Sequence, residues 1–226
     1  MFEGHGDIGK PGQAGSVVFD QKEHSYLLAG GGENMWFTND AFHFVWKRVS
    51  GDFAMQAAIE FLGSGGNAHR KACLLVRQSL SPDSAYVDVA VHGDGLTSLQ
   101  FREAPGGTTH EIQANVSRPA RVGLEREGEV FLMTLPDGDK PSAKLSPGGP
   151  FIRLTLTDPL YIGLAVCAHD DKVQERAKFQ FQMSVNNILN HPSWGLGSSN
   201  AYSTSFGVVG SPSGSRSMTM RLTASF

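Results

Sequence analysis

The sequence predicts an all-β protein of two stacked antiparallel sheets. Three observations carry this. Period-2 alternation recurs along the chain while helical periodicity is almost absent. The 226 residues include 27 glycines, which punctuate short apolar runs and mark many turns. Hydrophobic residues make up 40% and charged residues 18%, the balance of a globular chain able to bury a core without staples.

In chain order the predicted strands are residues 16–20, 25–29, 41–48, 52–62, 71–78, 85–92, 96–103, 109–114, 120–126, 130–135, 151–156, 160–168 and 177–185. The turns between them have local causes. His92-Gly93-Asp94-Gly95 supplies Asp-Gly for a tight hairpin, and Glu127-Gly128 joins two strands in the same way. Ser50-Gly51-Asp52 and Pro136-Asp137-Gly138-Asp139 are turn clusters. Gly30-Gly31-Gly32 lacks the lysine and following helix of a phosphate loop, so a bulge or tight corner is expected there. After about residue 190 the chain becomes rich in Ser and Gly with no clear period. The expected division is a sandwich over 1–188 and a tail over 189–226.

Composition also bounds partners. The net charge is −3, with no basic block, so nucleic-acid binding has no electrostatic footprint. No apolar run is long enough to cross a bilayer. Residues 1–10 carry no apolar signal region, so a cytoplasmic location is expected. Cys73 and Cys167 lie in apolar strand-like runs and read as buried thiols rather than a disulfide.

Alternation assigns faces. Val87, Val89 and Val91 oppose Tyr86, Asp88, Ala90 and His92. Leu99 and Phe101 oppose Ser98, Gln100 and Arg102. Ala72, Leu74 and Val76 oppose Lys71, Cys73, Leu75 and Arg77, and Leu160, Ile162, Leu164 and Val166 oppose Tyr161, Gly163, Ala165, Cys167 and His169. The first sets read as core. The second sets mix small residues with Tyr, His, Asp, Gln and Arg. Such a face suits a shallow hollow for a flat, hydroxylated ligand, with planar polar groups reading hydroxyls and rings covering C–H faces. Loops covering that face, with architectural Arg–Asp pairs, are the alternative. In 41–48, Phe42, Phe44 and Trp46 share one face and His43, Val45 and Lys47 the other, and either could be core.

Several stretches form a recognisable series: Glu3-Gly4-His5-Gly6-Asp7-Ile8-Gly9, Gly30-Gly31-Gly32-Glu33-Asn34-Met35-Trp36, Asp40-Ala41-Phe42-His43-Phe44-Val45-Trp46-Lys47, His69-Arg70-Lys71-Ala72 with Val76-Arg77-Gln78-Ser79-Leu80, His92 through Arg102, and Tyr161 through Asp170. Together they resemble the concanavalin-A-like (LamG-like) domain that bacteria place before a TolB-like β-propeller, a group sharing its fold with the regulation-of-enolase domains. The resemblance covers about residues 3–187 and implies a two-sheet antiparallel jelly-roll sandwich of the concanavalin-A-like lectin/glucanase type. Superfamily members include lectins, glucanases and carbohydrate-binding modules, so it implies no single activity. In the tail, Tyr202-Ser203-Thr204, Val208-Val209 and Ser213-Gly214-Ser215-Arg216 resemble the opening of a propeller blade that does not continue.

Chemistry-bearing patterns are sparse. Glycoside hydrolysis needs two facing acids, and no E-x-D-x-x-E-like run occurs. Neither a G-x-S-x-G elbow nor a motif around either cysteine is present, so no catalytic residue is assigned. His169-Asp170-Asp171 with Asp94 offers calcium-type ligands, but turn capping is the preferred account of the acids, and no cofactor is expected. His5, His43, His69, His92 and His169 lack the close spacing of a zinc site. The expected function is a non-catalytic module binding carbohydrate or a related polyhydroxylated ligand. Arg77, Asp88, His92, Gln100, Arg102 and His169 are the expected polar contacts, and Trp36, Tyr86 and Tyr161 the platforms. The alternatives are a structural or protein-interaction domain accessory to a propeller or to a homo-oligomer, and a polysaccharide hydrolase or lyase.

Overall fold

A computed structural model describes residues 2–63, 66–137 and 145–186, and the backbone of 194–196, 209–212 and 217–220. The strands are β1 (Gly4–Ile8), β2 (Ser16–Asp20), β3 (Ser25–Gly30), β4 (Phe42–Val49), β5 (Phe53–Phe61), β6 (Lys71–Arg77), β7 (Tyr86–His92), β8 (Thr97–Arg102), β9 (His110–Gln113), β10 (Val122–Glu127), β11 (Val130–Pro136), β12 (Leu145–Arg153), β13 (Leu160–Cys167), β14 (Glu175–Asn186), β15 (Trp194–Leu196), β16 (Val209–Pro212) and β17 (Ser217–Met220). One sheet has seven strands in the order β1-β4-β13-β6-β7-β8-β9. The second runs β12-β11-β10-β5-β14-β3-β2, with β17 added beside β14. Every pairing within them is antiparallel. The predicted jelly-roll-type sandwich is what the chain forms.

The core lies between the sheets. Val87, Val89, Leu99, Leu74, Val76, Leu160, Ile162, Leu164 and Val166 come from the seven-stranded sheet, all fully buried. Met55, Ala57, Leu124, Phe131, Met133, Phe179 and Met183 meet them from the other. The residues named from the seven-stranded sheet are those that alternation placed inward. Burying one such aliphatic side chain stabilises the fold by about 1.5–3 kcal/mol, so the register is strongly specified: a one-residue slip would turn every one outward.

Besides the short β15, β16 and β17 in the stretch read as a tail, β1 and β12 depart from expectation. β1 carries Gly, His and Asp with no apolar alternation, and it exists because β4 offers it a free edge, Gly4 opposite Trp46 and Ile8 opposite Phe42. β12 begins at Leu145 and includes Pro147 and Pro150, tolerable because it is an edge strand that needs fewer N–H donors. Cys73 and Cys167 are buried free thiols. Among the described residues no helix is long and apolar enough to cross a membrane. The blade-like segments at 202–204 and 213–216 lie outside the described residues, as does most of the tail.

Candidate functional site

The outward face of the seven-stranded sheet carries a second, smaller apolar cluster. Phe42, Phe44, Cys73, Leu75, Tyr86, Ala90, Ala165 and Cys167 pack there with Ile8 and Met35. Both faces of β4 are therefore core, Phe42 and Phe44 outward and Val45 inward. Met35 is 0% exposed although it belongs to no strand, because residues 32–40 cross the sheet face. Gly32 makes the crossing possible. It sits at φ 101°, where a Cβ would lie 1.8 Å from the Ala41 carbonyl oxygen. Only glycine fits such a backbone approach.

Charge fastens the crossing segment. Asp40 is buried with its carboxylate between two arginines: Arg77 Nη1 donates to Oδ2 at 2.6 Å, and Arg102 Nη1 and Nη2 donate to Oδ2 and Oδ1 at 2.9 and 2.7 Å. Arg77 also donates to the carbonyls of Ser79 and Ser81. Arg102 donates to those of Trp36 at 2.8 Å and Phe37 at 3.1 Å. Tyr86 lies against both guanidinium groups, and its hydroxyl donates to the Met35 carbonyl at 3.2 Å. Burial pushes the Tyr86 phenol well above its usual range, with Asp88 and Asp40 adding to the effect.

The sequence expectation has Arg77, Tyr86, Asp88 and Arg102 touching a ligand. The structure places all four at 0% exposure beneath packed chain. The arginines are occupied by Asp40 and the covering segment, and the Tyr86 ring is part of the small core. Asp88 lies next to them with neither carboxyl oxygen hydrogen-bonded. Burial raises its pKa from 3.8 to about 7, against the attraction of Lys71. Tyr161 lies at the far end of β13, opposite Arg77 and edge-on to Trp46 at 6.4 Å.

At the other end of the face, where Lys71 pairs with His92, a connected polar group is buried at Lys71, His92 and Gln100 and reaches the surface through the half-buried Asn34, Trp36 and Glu111. Lys71 Nζ donates to Met35 O at 3.0 Å, Gln100 Oε1 at 3.2 Å and Asn34 Oδ1 at 3.3 Å, and lies 5.3 Å from the centroid of the half-buried Trp36 ring. Gln100 Nε2 donates to Glu111 Oε1 at 2.9 Å and lies 3.4 Å from His92 Nε2. His92 Nδ1 donates to the Leu96 carbonyl at 3.0 Å, which leaves Nε2 as the acceptor. Desolvation, with Lys71 nearby, holds the His92 ring neutral, its pKa lowered to about 4. The exposed His69 ring sits 6.4 Å from His92 and 5.4 Å from His169. His169 adopts a left-handed φ of 56°, and burial followed by Lys71 lowers its pKa.

Four expected site residues thus converge: Trp36, His92, Gln100 and His169. Lys71, His69, Glu111 and Asn34 join them without having been singled out. Lys71 shares the alternation face of Arg77, so the signal existed, whereas Asp40 and Met35 lie between strands where periodicity says nothing. Among the described residues no group of three or more His, Cys, Asp and Glu side chains gathers as a metal site.

No protein-family model matches the chain, and no curated protein matches it. Solved structures do. A functionally unknown protein from Saccharomyces cerevisiae aligns at TM-score 0.54 and 15% identity, over 75% of this chain and 95% of that one. A xylan β-1,4-xylosidase from Bacillus halodurans aligns at 0.52 and 15%, over 77% of this chain and 34% of that one. Carbohydrate-binding module CBM66 from Bacillus subtilis aligns at 0.44 and 16%, over 79% of this chain and 93% of that one. At such identities the first two likenesses concern architecture alone, a two-sheet β-sandwich.

Proposed function

We propose that this chain is a binding module for a carbohydrate or similar polyhydroxylated ligand, taken up at the Lys71–His92 end of the seven-stranded sheet. One observation carries the reading: Trp36, Asn34, Lys71, His92, Gln100 and Glu111 form one bonded or ring-contacting group whose outer members, Trp36, Asn34 and Glu111, are half-buried at the surface. Carboxamide, imidazole and carboxylate groups alternate as donors and acceptors there, which suits vicinal hydroxyls. The indole of Trp36 supplies a flat surface for C–H faces, with aromatic contact worth about 0.5–1.5 kcal/mol. His69 and His169 form the outer rim.

Calorimetric titration against a panel of neutral and acidic oligosaccharides tests the proposal. Millimolar or tighter binding to at least one member is expected, weakened at least tenfold in Trp36→Ala and Gln100→Ala. Absence of heat at millimolar ligand with folded protein would remove it.

A second reading is favoured by the cover itself. Arg77, Tyr86, Asp88 and Arg102 are sealed under residues 32–40, so most of this face is architecture. A structural or protein-interaction module, accessory to a propeller as the resemblance implies, needs no open hollow. Glycan-independent association with a propeller domain would support it.

A further inference from the structure

Away from this site, at the β1 edge, two imidazoles meet across a strand pair. His5 lies opposite Val45, and Asp7 lies opposite His43, so both β1 side chains share the face of His43. His5 Nδ1 is 3.3 Å from His43 Nε2, with the rings tilted 57°. His43 Nδ1 meets Asp7 Oδ1 at 2.7 Å, and the Gly15 amide donates to both Asp7 oxygens, at 3.0 and 3.3 Å. Gly15 packs directly on the His43 ring, where a Cβ would fall 2.2 Å from Cγ.

We propose that His5 and His43 form a two-imidazole site for a divalent zinc-class ion. Two nitrogens each about 2.0–2.1 Å from a tetrahedral zinc stand roughly 3.3–3.4 Å apart, the separation seen here. The partner arrangement is that of a metal-ligating histidine: a carboxylate on the second ring nitrogen fixes the tautomer and aims the free lone pair. Asp7 does this for His43, and Gly15 holds Asp7. His43 is buried, while His5 is exposed and gives the ion access. The remaining positions fall to water, since no third protein ligand of the usual types joins the pair among the described residues. The 38-residue separation hid the pair from any spacing motif; only the β1–β4 register brings it together. An ordinary N–H···N hydrogen bond between the rings is the competing account.

Zinc titration of untagged protein separates the two accounts. Calorimetry should give one equivalent of binding at micromolar to submillimolar affinity. Nitrogen-15 histidine spectra should show shifts confined to His5 Nδ1 and His43 Nε2. His5→Ala, a change at an exposed ring, should lose at least tenfold in affinity. Asp7→Asn should lose about tenfold, as loss of such a carboxylate commonly costs. His69→Ala should bind zinc as the parent does, and calcium, which prefers oxygen ligands, should not compete. No heat up to 1 mM zinc, or binding that His5→Ala leaves unchanged, overturns the proposal in favour of the hydrogen bond.

Discussion

Replacing Asp88 by asparagine should change how stability depends on pH, and by an amount the structure supplies. In the unfolded chain the Asp88 carboxyl ionises near its usual 3.8; in the folded protein burial holds the proton to about 7. Between those values the native state binds one proton more, so stability falls as pH rises and levels off above 7. A gap of about three pH units at 1.36 kcal/mol each amounts to roughly 4 kcal/mol. His92 acts in the opposite sense. Its folded pKa of about 4 lies below the usual 6.5, so its contribution rises with pH from about 4 to 6.5. The two slopes cancel over that window, and parent stability conceals both. Urea unfolding followed by tryptophan fluorescence at pH 4.5, 5.5, 6.5 and 7.5 should reveal them. The stability of Asp88→Asn relative to the parent should climb by about 1.4 kcal/mol per pH unit up to pH 7. That of His92→Gln should fall by about the same amount per unit from pH 4.5 to 6.5. A constant offset for Asp88→Asn across the range would refute the claim that a protonated carboxyl is buried under residues 32–40.

Further outcomes follow from the same geometry. Asp40→Asn leaves two buried guanidinium groups without their carboxylate and should destabilise the fold by about 3–5 kcal/mol, measured as a shift in the urea midpoint. Met35→Ala empties a fully buried site and should cost about 2–5 kcal/mol, with dye binding to newly exposed apolar surface. Gly32→Ala puts a Cβ against the Ala41 carbonyl at a left-handed φ of 101°, so a lowered melting temperature is expected. Phe37→Gly should stabilise, because Phe37 is 66% exposed yet held at φ 28°, and strain of this sort costs about 1–3 kcal/mol. An unchanged or lower midpoint would show that the Phe37 ring contributes more than its backbone conformation costs.

The sandwich was legible because every core strand contributes a row such as Val87, Val89 and Val91, whose period admits one inward face. The division between site and scaffold was not. Tyr86, Asp88, Arg77 and Arg102 have the same alternation phase as His92 and Gln100, and phase reports only which side of the sheet a residue occupies. Whether that side is wet or covered depends on where residues 32–40 run. That path is set by Gly32 and by ion pairs between residues 37 and 62 positions apart, which no local pattern encodes. Trp36 was found from its place beside the glycines, whereas Lys71 was passed over because a lysine on an outer face reads as solvated.

The buried Arg77–Asp40–Arg102 group gives a reason to treat cover and opening as one device. Burying three charges is a poor route to stability, since well-packed apolar residues of similar volume often do as well or better. Its geometry is specific instead. Arg102 Nη2 donates to the Trp36 and Phe37 carbonyls and so helps to set the position of a segment with no regular structure of its own, while Arg77 Nε and Nη2 and Arg102 Nη1 reach the Ser79, Ser81 and Ser84 carbonyls beside it. The middle of that segment carries Met35 into the small core and Trp36 over Lys71. A leucine-filled substitute could cover the sheet, but it would not fix the indole's position to fractions of an ångström, which preorganised recognition requires. On this argument an apolar replacement of Asp40, Arg77 and Arg102 together should retain or raise stability while broadening the Trp36 fluorescence lifetime distribution. Loss of the fold in that triple variant would instead show the charges to be structural in the plain sense.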